Sequence, residues 1–193
     1  MEVKLKGSAT SLYLALVQVP RPTQNDELPV LVNGFFDEGV NSGWSQLVDG
    51  RADKLIYHQS DNEAIPAPVS APYVAWLGGK ASQVNQLYQS VQLPSSYSVS
   101  IEFMYYTESA EKDCTHDLAG LEAVVAGASQ PLRNILLCAE SQTQGWRKAT
   151  VDLASWRGQS LLLQFRSSLD AQKMSNLFLD NVRFCSSDPG APA

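Results

Sequence analysis

The chain is poor in histidine, poor in cysteine and has no run of basic residues. Among 193 residues, His58 and His116 are the only histidines, and 14 Lys+Arg stand against 20 Asp+Glu for a formal net charge of −6. Nucleic-acid affinity rests on Lys and Arg contacts to phosphate, so this composition argues against a nucleic-acid partner. The same deficit removes an electrostatic anchor to anionic lipid. No apolar run approaches the roughly 20 residues of a membrane helix, so no transmembrane segment is expected. Gly-x-Ser-x-Gly, His-Glu-x-x-His and a phosphate loop are all missing. The three cysteines, Cys114, Cys138 and Cys185, contain no C-x-x-C pair, which disfavours a zinc ribbon. One disulfide plus a leftover thiol fits an exported protein; three thiols fit a cytosolic one.

What is present is enough apolar matter to fold, at 44% hydrophobic residues. Its period is two rather than 3.6. In "YSVSIEFMYY", Tyr97, Val99, Ile101, Phe103 and Tyr105 alternate with more polar positions; in "QSLLLQFRS", Leu161, Leu163 and Phe165 do the same. "LYQSVQLP" and "SNLFLDNVRF" read as strands, as do 30–37, 44–48, 54–58, 73–78, 118–126, 132–138 and 145–151. Turn signals separate them, among them Asp49-Gly50, Gly78-Gly79, Gly127 to Pro131 and Arg157-Gly158. No segment carries a three-turn helical period with caps. About ten short strands and punctuated loops predict an all-β, antiparallel sandwich or barrel.

The prolines of "PRPTQNDELP", residues 20–29, mark a linker, so the folded domain is expected over 30–185. "SSDPGAPA", residues 186–193, is a second linker-like segment. Two readings stand for "LYLALVQV", residues 12–19, which follows Lys4 and Lys6: a degenerate secretory signal, or a strand or loose arm. Gln18 interrupts the first, and no small-residue cleavage pattern follows.

Several stretches together resemble a known group. "LVNGFFDEGVNSGW" carries Asn33, Gly34, Phe36, Asp37, Gly39, Gly43 and Trp44 in the order of many bacterial extracellular jelly rolls. "YVAWLGG", "GWRKATVDLASWRGQSLLLQFRSSLD" and "NLFLDNVRF" follow in that group's order, so the resemblance spans about residues 30–185. The group comprises galactose-binding-like and MAM-like jelly rolls, carbohydrate-binding modules among them. It implies a jelly-roll β-sandwich at the cell surface or outside the cell. Its expected role is a non-catalytic accessory module that binds a glycan or surface polymer. The alternative is a protein–protein adhesion or architectural module that binds a surface protein. One fold hosts many functions, so the ligand stays open.

The resemblance also implies a structural calcium ion held by Asp37 and Asp180. The group's usual glutamate is here Asp37, one methylene shorter. Asp180 is aligned with Phe178, Val182 and Phe184 on one predicted face, and a carboxylate there needs a cation, backbone donors or a raised pKa. Calcium would supply the first by taking six to eight oxygens. The competing reading is that Asp180 accepts backbone N–H bonds and Asp37 forms a turn. Asp49, Asp53 and Asp61 are further oxygen donors in nearby loops.

The 118–126 and 132–138 hairpin, turning near residue 129, sets Cys138 across from about Gly120, with Cys114 in the preceding loop. A Cys114–Cys138 bridge is then feasible if the loop folds back, and some members of the group carry cysteines at these places. Two separate thiols are the alternative. Cys185 has no evident partner. Exposed rings stack on sugar faces, and Tyr57, Tyr73, Tyr88 and Tyr106 are the candidates; Trp44, Trp76, Trp146 and Trp156 read as packing. In "DCTHD" His116 lies two residues from Cys114, superficially a nucleophile–base pair, which fails if Cys114 is in a disulfide. Paired carboxylates for glycoside hydrolysis stay open. No enzymatic activity is expected.

Overall fold

The structure is a computed structural model that describes residues 28–186. The signal-or-strand segment 12–19, linker residues 20–27 and tail residues 187–193 lie outside the described residues. Eleven strands follow in order: β1 (Ser45–Val48), β2 (Arg51–Ala52), β3 (Ile56–His58), β4 (Tyr73–Gly78), β5 (Val84–Gln92), β6 (Val99–Ser109), β7 (Leu118–Val125), β8 (Ala128–Leu136), β9 (Arg147–Asp152), β10 (Ser160–Ser168) and β11 (Ser175–Ser186). They form a six-stranded sheet, β2-β1-β5-β10-β7-β8, and a five-stranded sheet, β3-β4-β11-β6-β9. Every pairing is antiparallel. No helix among the described residues is long and apolar enough to cross a membrane.

Alternation sends one set of side chains from each sheet into a shared core. Leu87, Leu121, Leu163 and Phe165 come from the first sheet; Leu77, Ile101, Phe103, Leu177 and Leu179 come from the second, and all are fully buried. Each such side chain contributes about 1.5–3 kcal/mol on burial. Phe103 and Phe165 meet edge to face across the layers, centroids 5.0 Å apart. Trp44 packs between Phe36 and Phe165, and Trp156 lies partly buried over the core.

Three departures from the sequence reading bear on the site. Residues 30–37 are turns, not a first strand. Asn33 and Phe36 adopt φ of +53° and +62°, and a Cβ on Gly34 would lie 2.2 Å from the Val182 carbonyl oxygen. Side chains hold this segment in place of ladder bonds: Gln89 accepts from Val32 N–H (2.8 Å) and donates to Val32 O (3.0 Å). Gln89 therefore explains the mixed inner face of β5.

The second departure is a bulge in β11. Pairing with β6 shifts between Asp180 and Arg183, and Asn181 has φ +51°. One extra residue reverses the facing of everything beyond it. Leu177, Leu179, Val182 and Phe184 join the sandwich core, whereas Phe178 belongs to a separate cluster with Ile65 and Val74. Asp180 thus does not share a face with Val182 and Phe184; it lies on the Phe178 side, under the loop carrying Val69 and Ser70.

The third concerns the β7–β8 hairpin. Its turn is Ala126-Gly127, with φ of +51° and +81°, and Val125 pairs with Ala128. Two residues with positive φ make the tight turn whose twist suits a hairpin. Pro131 therefore lies within β8, at a register break on an edge strand where its missing N–H costs no ladder bond. Asn134, not Cys138, lies across from Gly120, and the ladder closes at Leu118–Leu136. Cys138 follows two residues later, where it meets Cys114.

Candidate functional site

The Cys114–Cys138 disulfide is formed, with Cα atoms 4.9 Å apart across a separation of 24 residues. Closing such a loop contributes roughly 3–4 kcal/mol in the chain-entropy account. It also removes Cys114 as a nucleophile for His116. Cys185 is a free thiol, partly buried, and its pKa is raised mainly by burial.

Asp37 and Asp180 converge on Ser70. Asp180 is fully buried; its Oδ2 accepts the N–H groups of Val69 and Ser70, both at 2.8 Å, and its Oδ1 accepts Asn181 N–H at 2.7 Å. The Ser70 hydroxyl donates to Asp37, 3.0 Å from Oδ1 and 2.8 Å from Oδ2. Burial pushes the Asp180 carboxyl up to about 6 against the pull of the three N–H donors, and the Asp37 charge adds to the rise. Among the described residues, neither carboxylate is in an ion pair. Asp49, Asp53 and Asp61 are engaged elsewhere: Asp49 accepts Val84 N–H, Asp53 accepts Lys54 N–H, and Asp61 contacts Lys54 and accepts His58 N–H.

The four candidate tyrosines do not form one site. Tyr88 stands on the outer face of the six-stranded sheet, opposite Ser45 and Gln164. Around it runs a polar ladder in which Gln86 donates to Gln164 (3.3 Å), and Gln164 (3.0 Å) and Ser129 (2.6 Å) donate to Glu122. Tyr73 packs against the core and meets His58 edge-on at 5.2 Å. Tyr57 and Tyr106 do share a surface, the outer face of the five-stranded sheet.

There the rings form a row that the sequence reading missed. Tyr57, Trp76, Phe178, Tyr106 and Trp146 follow one another with centroids 5.5, 5.5, 6.0 and 6.0 Å apart. Trp76 and Trp146 therefore belong to this outer row and not to the sandwich core. Part of it is covered by the loop bearing Ile65, which is pinned where Trp146 Nε1 donates to Ala67 O at 2.8 Å. A signal was available: in "YVAWLG" both the Val74/Trp76 and the Ala75/Leu77 faces are apolar, which marks a strand covered on two sides.

Tyr57 and Trp76, at one end of the row, open into a cleft of about 220 Å³ also lined by Asp53, Lys54, Lys80 and Gln83. The Lys54 ammonium sits 4.7 Å from the Tyr57 ring centre. Burial raises the Tyr57 pKa, with the Asp53 and Asp61 charges adding to it. Trp76 Nε1 donates to Asn176 Oδ1 at 3.0 Å, which holds the indole in place. A Cβ on Gly79 would come within 2.6 Å of that ring, so glycine lets the chain pass close beside it. The cleft thus combines an anchored aromatic platform with charged and amide groups able to bond hydroxyls.

No family profile matches the chain, and no curated protein matches it. Its fold is similar to solved β-sandwich domains. TmCBM61, solved in complex with β-1,4-galactotriose, aligns with a TM-score of 0.57 at 15% identity, over 80% of this chain and 96% of that one. The K3 cleaved adhesin domain of Lys-gingipain from Porphyromonas gingivalis W83 aligns with a TM-score of 0.57 at 14% identity, over 82% and 99%. The CBM22-1 xylan-binding domain of Paenibacillus barcinonensis Xyn10C aligns with a TM-score of 0.50 at 15% identity, over 81% and 94%. These likenesses establish the jelly-roll sandwich and extend to carbohydrate-binding modules and adhesin domains alike.

Proposed function

We propose that this chain is a non-catalytic extracellular module that binds a glycan at the Tyr57–Trp76 cleft. The observation that carries the reading is the anchored Trp76 indole beside Tyr57 with Asp53, Lys54, Lys80 and Gln83 at the rim. Sugars present an apolar face of C–H groups and an equatorial ring of hydroxyls, and such a platform suits both. The volume of about 220 Å³ falls below the roughly 300–1,000 Å³ of drug-sized sites, which suits one or two sugar rings of a longer chain. The solved neighbours named for galactotriose and xylan binding support the ligand class, and the disulfide supports an extracellular setting.

The proposal includes a structural calcium at Asp37 and Asp180. The donor chemistry fits in kind: two carboxylates that repel each other, neither in an ion pair among the described residues, with a serine hydroxyl between them. The next residue, Asn181, has a buried Oδ1 without a hydrogen-bond partner among the described residues. When bound, calcium would neutralise the pair. The chain itself holds Asp180 through Val69, Ser70 and Asn181 N–H groups.

The glycan reading is tested by calorimetry against β-1,4-galactan and xylan oligosaccharides and, more widely, a glycan array. Trp76→Ala and Tyr57→Ala are each expected to weaken binding by about 1–2 kcal/mol, as for loss of a well-packed aromatic contact. Silence across the array, or affinity indifferent to Tyr57, overturns the assignment. A second reading, a protein partner, is favoured by a specific feature at the far edge of the other sheet. Leu118 and Leu136 pair across β7 and β8, are 53% and 50% exposed, and flank a groove that also takes in Arg166 and Glu122.

A further inference from the structure

At one end of the sandwich the β6–β7 loop carries Glu111, Asp113, His116 and Asp117, and the β10–β11 loop brings Asp170 against it. None of the four carboxylates is in an ion pair with a lysine or arginine among the described residues. Asp117 is fully buried and satisfied: it accepts Asp170 N–H at 2.8 Å and the Ser175 hydroxyl, and so fixes the second loop to the first. The remaining groups surround His116. Its Nδ1 lies 3.7 Å from Glu111 Oε1 and 3.7 Å from Asp170 Oδ2, too far for hydrogen bonds, and the three donor sites lie within 4.8 Å of one another.

Glu111 supplies an independent observation. It is only 5% exposed, and its Oε2 is buried with no hydrogen-bond partner among the described residues. Its Oε1, 3.7 Å from His116 Nδ1, accepts Lys112 N–H at 2.8 Å and Asp113 N–H at 3.3 Å, so the carboxylate is held beside the imidazole with one buried oxygen still short of a partner. Asp170 is poised similarly: Oδ1 accepts Gln172 N–H at 2.7 Å, while Oδ2 faces His116.

From this geometry we infer that Glu111, His116 and Asp170 form a binding site for a divalent transition cation of the zinc type. An ion about 2.1 Å from each of two donors that are 3.7 Å apart subtends roughly 120°. A tetrahedral ion needs about 109°, which the donors reach by closing about 0.3 Å, and three protein ligands then leave a position for water. An imidazole nitrogen among carboxylates selects zinc-like ions over calcium, which takes oxygen throughout. Asp113 Oδ2 lies 3.9 Å from His116 Nε2, the ring nitrogen turned away from the two metal-facing carboxylates. The ion would clamp the disulfide-bearing loop to the β10–β11 loop, and it is separate from the Asp37–Asp180 pair.

The test uses the full chain, stripped with chelator and titrated with zinc chloride in excess calcium. One zinc per chain is expected at micromolar affinity, with a rise in melting temperature. His116→Ala and Asp170→Asn should each weaken binding by about tenfold or more and abolish the thermal shift. His58→Ala and Asp180→Asn should leave zinc binding unchanged. His116 is exposed, so its replacement leaves the fold intact, as circular dichroism will verify. Absence of zinc binding overturns the site, as does binding that survives either His116→Ala or Asp170→Asn, or that depends on His58.

Discussion

Asp37 and Asp180 share one residue as donor: the Ser70 hydroxyl serves Asp37 at 2.8 Å while the Ser70 N–H serves Asp180 at 2.8 Å. The two carboxylates come from segments more than 140 positions apart; Asp180 shares the outward face of Phe178, and the bulge after it lets Val182 and Phe184 return to the core. Their mutual repulsion, with neither in an ion pair among the described residues, is the physical basis of the calcium proposal.

Removal of calcium should therefore lower the melting temperature. A ligand that binds only the native state adds about 2.7 kcal/mol at one hundred times its dissociation constant. Asp180→Ala should abolish most of that response. Differential scanning calorimetry before and after exhaustive chelation checks it, with metal analysis to establish that the ion has left; an unchanged transition rules the ion out as a stabiliser.

In the metal-free protein the pH dependence has a definite sign. Asp180 is raised from 3.8 to about 6, so the native state holds a proton that the unfolded chain releases. Its contribution is greatest below about pH 4 and is lost as pH rises through 6, on the order of 3 kcal/mol. Asp180→Asn imitates the protonated form. In chelator it should be more stable than the wild type at pH 7.5, and the gap should close near pH 4. With calcium added at pH 7.5 the order should reverse. Parallel urea titrations at the two pH values measure this; a gap that ignores pH contradicts it.

Two glycines separate steric from conformational cost. Gly34 has a backbone oxygen, that of Val182, 2.2 Å from where a Cβ would sit, beside the hydrogen bond from Val182 N–H to Gly34 O at 2.8 Å. Gly34→Ala must move the loop or the bulge and should cost more than about 2 kcal/mol. Gly127 has open space around it but φ +81°, so Gly127→Ala should cost only about 1 kcal/mol, the strain of a left-handed alanine. Chemical denaturation of the two variants compares them directly, and equal losses would contradict the packing described for Gly34.

The class of fold is legible in the residues alone, because alternation in β6 and β10 is a local property: Ile101, Phe103, Leu163 and Phe165 face inward wherever those strands are placed. The sequence made a Cys114–Cys138 bridge feasible, since a hairpin joins the two loops that carry them, but left two separate thiols open until the structure closed the bond. It did not determine where the hairpin turns, because Gly127 and Pro131 both signal a break and only the edge position of β8 makes a proline tolerable inside it. Nor did it reveal that 30–37 is not a strand, for the contacts that forbid one lie in Val182 and Gln89. The facing of β11 depends on its long-range partners. Leu177, Phe178 and Leu179 are apolar on both faces, so a single bulged residue at Asn181 leaves no trace in the pattern, yet it returns Val182 and Phe184 to the core while Phe178 stays in the aromatic row and Asp180 beside Ser70. A side-chain period of two is local, but the register that turns it into a site depends on partners far away in the chain.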